Sequence, residues 1–161
     1  AIPTAEGAIQ IAMQEMPVTI NGSKALVLGF GRVGKTLANM LKGIGAKTYV
    51  EARKYSDIAW IESYGYNAVP LNELSEYIKN ADVIFNTIPY VILDKYMLKR
   101  VGKDCLIIDL ASKPGGVDFE KAKEYGIKTK WALSLPGKVA PLTAANILKD
   151  TINNIVNEQE G

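Results

Sequence analysis

The sequence predicts an α/β fold: a doubly wound, six-stranded parallel sheet with helices on both faces. Three observations predict it. Apolar runs of five or six residues alternate with stretches of helical period along the chain, as buried parallel strands joined by crossover helices do. The first of these runs, "ALVLGFGRVGKTL", passes through three spaced glycines into an amphipathic stretch. Finally, 161 residues at 48% apolar and 22% charged composition suffice for one buried core and are unlike a disordered chain.

The elements follow in order. Residues 3–16 place Ile9, Ala12, Met13 and Met16 at helical spacing behind Pro3 and Thr4, a helix start signal, so a helix precedes the first strand. Strands are expected over 24–28, 47–52, 66–69, 82–87, 105–110 and 128–132. After the glycines, Val33, Leu37, Met40, Leu41 and Ile44 form one apolar helical stripe that Gly45 stops. Residues 57–64, 72–79, 94–101 and 118–125 fill the other crossovers, several behind a short polar cap residue, the last closing on Gly126. Residues 142–156 carry Leu142, Ala145, Leu148, Ile152, Ile155 and Val156 on one face and predict a closing helix. No repeat or flexible linker divides the chain. The expected organisation is an N-terminal helix between domains (1–17), a core domain (18–141) and a C-terminal helix with its tail (142–161). The chain opens directly into a helix, which suggests a fragment with a further domain upstream.

The composition narrows the function. A formal charge of +2 with scattered Lys and Arg argues against a nucleic-acid or membrane surface. No apolar run approaches the roughly 18 residues of a membrane span, and no secretion signal is legible, so a cytoplasmic protein is expected. The single Cys105 sits in an apolar run and reads as core filler, with no disulfide possible within the chain. There is no histidine, so imidazole catalysis and His-ligated metal sites are excluded and no metal is expected.

A strand–glycine–helix arrangement with the spacing GxGxxG is the dinucleotide fingerprint. Gly29 permits the tight turn, Gly31 lets the backbone approach a pyrophosphate, and Gly34 lets helix and strand pack closely. Phe30, Arg32 and Val33 complete the turn, whose helix start offers N–H groups to an anion. A purely structural glycine turn is the plainer alternative, while the ATP-type P-loop spacing is not met.

The end of the second strand bears on the cofactor. If that strand ends at Ala52, the acidic position that would take the ribose hydroxyls of NAD is an alanine, and Glu51 points to the opposite face. Arg53 and Lys54 would then meet the 2′-phosphate of NADP, unless they are simply a solvated loop pair. A one-residue slip would put Glu51 on the ribose and favour NAD. Three further loops leave strand ends: Asn86, Thr87, Ile88 and Pro89; Leu110, Ala111 and Ser112 with Lys113; and Pro136, Gly137, Val139 and Pro141. Each alone could be an ordinary turn. Their convergence beside the glycine turn suits a nicotinamide.

The strings "IPTAEGAIQIA", "VLGFGRVGKTLA", "FNTIP", "LIIDLASKPGG" and "LPGKVAPLTA", in this order, resemble the cofactor-binding half of the first subunit of the dipicolinate synthase family. The likeness runs from Ile2 to about Leu148. The last string is also similar to the cofactor loops of alanine dehydrogenase and of proton-translocating transhydrogenase. Glu51 departs from the small residue the resemblance leads one to expect. The resemblance implies oxidation of dihydrodipicolinate, a small dicarboxylate, to dipicolinate with NADP or NAD during bacterial sporulation. It also implies a flavoprotein-like second subunit and an N-terminal domain absent from this chain; a homo-oligomer is expected as well. Removing hydride and proton from a dihydropyridine gains aromaticity, so orientation matters more than a strong base. Lys113, Lys138 and Arg32 are candidate cations for the substrate carboxylates, Lys113 foremost, with a surface lysine as the alternative. A domain of this fold that senses NAD(P) without turnover is the competing class.

Overall fold

The computed structural model describes residues 1–132. The six strands are β1 (Lys24–Leu28), β2 (Lys47–Ala52), β3 (Asn67–Pro70), β4 (Val83–Asn86), β5 (Leu106–Asp109) and β6 (Lys128–Trp131). All pair in parallel in the order β3-β2-β1-β4-β5-β6. The order reverses between β1 and β4, and open sheets of this kind bind ligands at the carboxyl ends of the strands beside that point.

Alternation along each strand builds two cores. Ala25, Val27, Val50, Phe85 and Ile108 face one side, where they pack with α1 (Ile2–Glu15), α2 (Arg32–Ile44) and Ile61 of α3 (Tyr55–Ser63). Leu26, Leu28, Ile84 and Ile107 face the other, with Leu74 of α4 (Leu74–Tyr77), Leu98 of α5 (Lys95–Leu98) and Ala122 of α6 (Phe119–Glu124). Because both faces are covered, the central strands are continuous apolar runs. In α1, Ala5, Ala8 and Ala12 are fully buried and their small side chains let the helix lie close against α2, so α1 belongs to the same core as the sheet. The outer strand β6 shows Lys128 and Lys130 to solvent, and both reach Glu15 at the end of α1. Among the described residues β6 is an outer strand, and lysines on such a strand resist further pairing.

The bounds of β1 and β2 are those expected. The other strands begin or end a residue away from expectation. The glycine stop is where the pattern put it: Gly45 adopts φ 98° and its N–H closes the helix onto Leu41 and Lys42. The expected helix over 72–79 is instead a single α-turn, α4, between two 3₁₀ turns, Leu71–Glu73 and Ile78–Asn80. Only Leu74 and Ile78 are buried there, so one apolar anchor per turn holds the segment. The α5 segment is likewise shorter than the expected 94–101, and Asp94 caps it by accepting the N–H groups of Tyr96 and Met97. Cys105 is core: it is 3% exposed, and burial, helped by Asp82, pushes its thiol up to about 12. No helix among the described residues is long and apolar enough to cross a membrane. The expected closing helix over 142–156 lies outside the described residues.

Candidate dinucleotide site

The glycine turn joins β1 to α2 at the carboxyl edge of the sheet. Gly29 has φ 98°, and a Cβ there would strike the Thr87 hydroxyl and press on Ile88 Cγ1 at 3.2 Å. Only glycine satisfies both demands. The Thr87 hydroxyl and N–H both donate to the Leu28 carbonyl, at 2.6 and 3.0 Å, which locks the β4 loop to the turn. A Cβ on Gly34 would run into the Gly29 carbonyl, so the third glycine lets α2 pack directly on the turn.

Helix α2 starts at Arg32 behind Gly31, with no side-chain cap and no acidic residue in its first turn. Its leading N–H groups therefore offer an anion site that no side chain of the turn fills. Arg32 is exposed at the head of the helix and Val33 is buried beneath it. Phe30 is directed inward: its ring is 8% exposed, lies 6.5 Å from the Tyr64 ring and has Lys35 Nζ above it at 5.2 Å. Phe30 anchors the turn through its ring.

The carboxyl end of β2 stands beside the turn. Gly29, Phe30, Glu51, Ala52, Arg53, Lys54, Asp57, Ile88 and Tyr90 line an open cavity of about 170 Å³. A larger cavity of about 200 Å³, lined by Lys24, Tyr49, Tyr77 and Asn80, lies at the amino ends of β1 and β2. Sheets of this topology bind at the opposite edge, which makes the smaller cavity the relevant one. Ala52 is the last strand residue and faces α2, as expected. Glu51 does face the other side of the sheet, yet it is not thereby removed from the site. Arg53, two residues on, shares its side, and Arg53 Nε lies 4.0 Å from Glu51 Oε1. The Arg53 guanidinium lies 4.7 Å over the Tyr90 ring, while Lys54 is exposed at the head of α3.

The loops after β4 and β5 are tied together by a buried polar knot. Asn86 and Asp109 are both 0% exposed. The Asn86 amide donates to the Ile88 carbonyl at 2.9 Å and to Asp109 Oδ1 at 3.0 Å, while its oxygen accepts the Ile88 N–H. Asp109 also accepts the N–H groups of Ala111 (3.1 Å) and Gly116 (2.9 Å). Burial pushes the Asp109 carboxyl above its ordinary range, and Asn86, Gly116 and Ala111 pull it back. The Gly116 carbonyl accepts from Ile92 and Leu93, and the Ala111 carbonyl accepts from Trp131 Nε1.

This knot sorts the residues singled out in the sequence. Asn86 gives its side chain to the loops, so its contribution is placement. Thr87 and Ile88 face the glycine turn, and Pro89 is exposed. Leu110 and Ala111 are buried, Ser112 is half-buried, and Lys113 is exposed beside a cis bond to Pro114. Pro136, Gly137, Val139, Pro141 and Lys138 lie outside the described residues. Motif and spacing did not point to Asp109, to Tyr90 or to the reach of Glu51 into the cavity. The signal for Asp109 was present: a carboxylate ending the apolar run "CLIID" must find donors, and "PGG" places backbone N–H groups nearby.

Residues 4–114 match the NAD-binding domain model of the D-isomer specific 2-hydroxyacid dehydrogenases. The chain is 42% identical over 158 residues to the first subunit of dipicolinate synthase of Bacillus subtilis, covering 98% of this chain and 53% of that protein. A crystal structure of the Bacillus subtilis dipicolinate synthase polypeptide superposes with a TM-score of 0.86 at 42% identity, over 99% of this chain and 53% of that one. The corresponding structure from Bacillus halodurans gives 0.85 at 40% identity, over 96% and 53% respectively. The chain thus spans about half the length of these relatives.

Proposed function

Because this chain belongs to the NAD-binding domain family of the D-isomer specific 2-hydroxyacid dehydrogenases, we propose that it is the cofactor-binding half of the first subunit of a dipicolinate synthase. The observation that carries the reading is the uncapped start of α2, packed onto Gly29 through Gly34, beside the two strand-end loops joined by Asn86 and Asp109. These residues fit a nicotinamide dinucleotide. The N–H groups at the head of α2, with Gly31 and Arg32, would hold the pyrophosphate. The cavity at the end of β2 would take the adenosine end, where Arg53 and Lys54 favour the phosphorylated form, NADP, over NAD. Loops 86–89 and 110–113 would border the nicotinamide, with 136–141 as their third member.

When bound, the nicotinamide accepts a hydride. The substrate, dihydrodipicolinate, loses that hydride and one proton and becomes the aromatic dicarboxylate. The task of this chain is then orientation: the Asn86–Asp109 knot holds the loop that carries Ser112 and Lys113, and the Lys113 ammonium faces one substrate carboxylate. The remaining binding groups would come from an N-terminal domain, because two-lobed dehydrogenases enclose substrate between lobes. The same likeness to dipicolinate synthase supports a flavoprotein-like second subunit and a role in sporulation, and self-association and a cytoplasmic setting are proposed with them.

The test is to assay NADPH formation from freshly generated dihydrodipicolinate. This chain alone is expected to bind dinucleotide with little turnover, and the full-length protein with its partner is expected to turn over. Full activity of the isolated chain would overturn the two-lobe reading.

A further inference from the structure

Among the described residues, the buried side-chain oxygens without a hydrogen-bond partner are the two of the Glu51 carboxyl, on a residue 1% exposed. A carboxyl in that state is costly and calls for a donor or a neutralising charge. The cation beside it, Arg53, stands at 4.0 Å, beyond hydrogen-bonding distance, and is also engaged with the Tyr90 ring. Glu51 lines the cavity at the end of β2, so a ligand entering there meets the carboxyl and its counter-charge together. The other charged or titratable groups facing that cavity are Lys54, Asp57 from α3 and Tyr90 from the loop after β4. Strands β1 and β3 set Leu28 and Val69 opposite Glu51 and add no titratable group.

Resting on the dinucleotide reading above, we infer that Glu51 decides which form of dinucleotide is held. As a carboxylate it keeps Arg53 and accepts a hydrogen bond from an unphosphorylated ribose; as a neutral acid it releases Arg53 to a 2′-phosphate. A phosphate that draws Arg53 away removes the counter-charge of a buried carboxylate. Glu51 then takes up a proton from solvent, whereas binding of the unphosphorylated dinucleotide leaves it ionised. Burial already pushes this carboxyl above its ordinary range against the pull of Arg53, which eases that uptake.

The experiment is calorimetric titration of the chain with NADP⁺ and NAD⁺ in two buffers of different ionisation enthalpy, from about pH 8 to about pH 6. Net proton uptake is expected with NADP⁺ and none with NAD⁺. The preference for NADP⁺ should rise several-fold on acidification, within the limit of about tenfold per pH unit for one proton. The 2′-phosphate itself titrates near about pH 6 and gives protons up when bound by cations, so its signal has the opposite sign. In Glu51→Gln both the uptake and the rise should vanish. If that variant does not fold, uptake that persists in Asp57→Asn, the other carboxyl of the cavity, assigns the proton to Glu51, and uptake lost in Asp57→Asn overturns it. Proton release or no exchange on NADP⁺ binding, or an unchanged pH profile in Glu51→Gln, would overturn the role of Glu51. Binding of neither dinucleotide would overturn the dinucleotide reading along with it.

Discussion

Substituting Gly116 by alanine tests whether the Asn86–Asp109 knot holds the carboxyl-end loops. Gly116 does not have positive φ, so the added methyl meets no backbone penalty and acts through space alone. Its Cβ would collide with Asn86 Nδ2 and lie 2.7 Å from the Ile88 carbonyl oxygen. Neither can yield cheaply, since one is backbone and the other is a short, fully buried amide. Displacing the amide breaks its bonds to Ile88 and to Asp109. A neutral bond contributes about 1 kcal/mol and one to a carboxylate about 1.5–3 kcal/mol, so the expected loss is about 3 kcal/mol. Urea unfolding measures it, with an unchanged m-value showing that the transition is still the same one. Gly43→Ala in α2 is the control: nothing lies within 4 Å of its added methyl, and it should be neutral or stabilise by up to about 1 kcal/mol. A cost at Gly116 below about 0.5 kcal/mol would refute this role of the knot, because that is the range of substitutions touching nothing.

Three further outcomes are expected. Gly31→Val should abolish binding of either dinucleotide while circular dichroism and the melting transition stay near wild type, because φ −84° at the exposed Gly31 is open to valine. Arg53→Ala should weaken NADP(H) by about 1.5–3 kcal/mol in a titration and weaken NAD(H) less, through the lost counter-charge of Glu51 alone, and equal losses would contradict the phosphate assignment. Glu51 and Asp109 are both held above their ordinary ranges by burial, so the folded state binds their protons more tightly than the unfolded chain. Stability should therefore fall as pH rises from the ordinary carboxylate range through the raised values, by at most about 1.4 kcal/mol per pH unit for each group. Denaturant melts across pH should show a smaller decline in Glu51→Gln; an identical decline would show that Glu51 is not the source.

The parts of the fold that depend on short-range chemistry were legible in the sequence. Val27 and Leu28 had to be buried on both faces, Gly45 had to stop α2, and Asp94 had to cap α5, each for reasons contained in a few neighbouring residues. The 71–80 crossover was not legible, because Leu74 and Ile78 allow a helical stripe but are the only buried anchors of what folds as successive single turns. At the site, strand alternation correctly sent Glu51 and Ala52 to opposite faces. It did not reveal that Arg53 would stand over Glu51 and bring the carboxyl into the cavity, since the path of the chain beyond a strand end is set by the Tyr90 ring it packs against. Asn86 was legible as a strand-end polar residue. Its use depended on Asp109, a partner 23 positions away.

The turn from Gly29 to Gly34 is expected to hold a nicotinamide dinucleotide. Isothermal titration of the chain with NADPH, NADH and dipicolinate in turn tests it most directly. Saturable binding of the dinucleotides is expected, NADPH the tighter, with weak or undetectable binding of dipicolinate alone and loss of dinucleotide binding in a folded Gly31→Val variant. A well-folded chain that binds neither NADPH nor NADH, or a Gly31→Val variant that binds as wild type does, would contradict it.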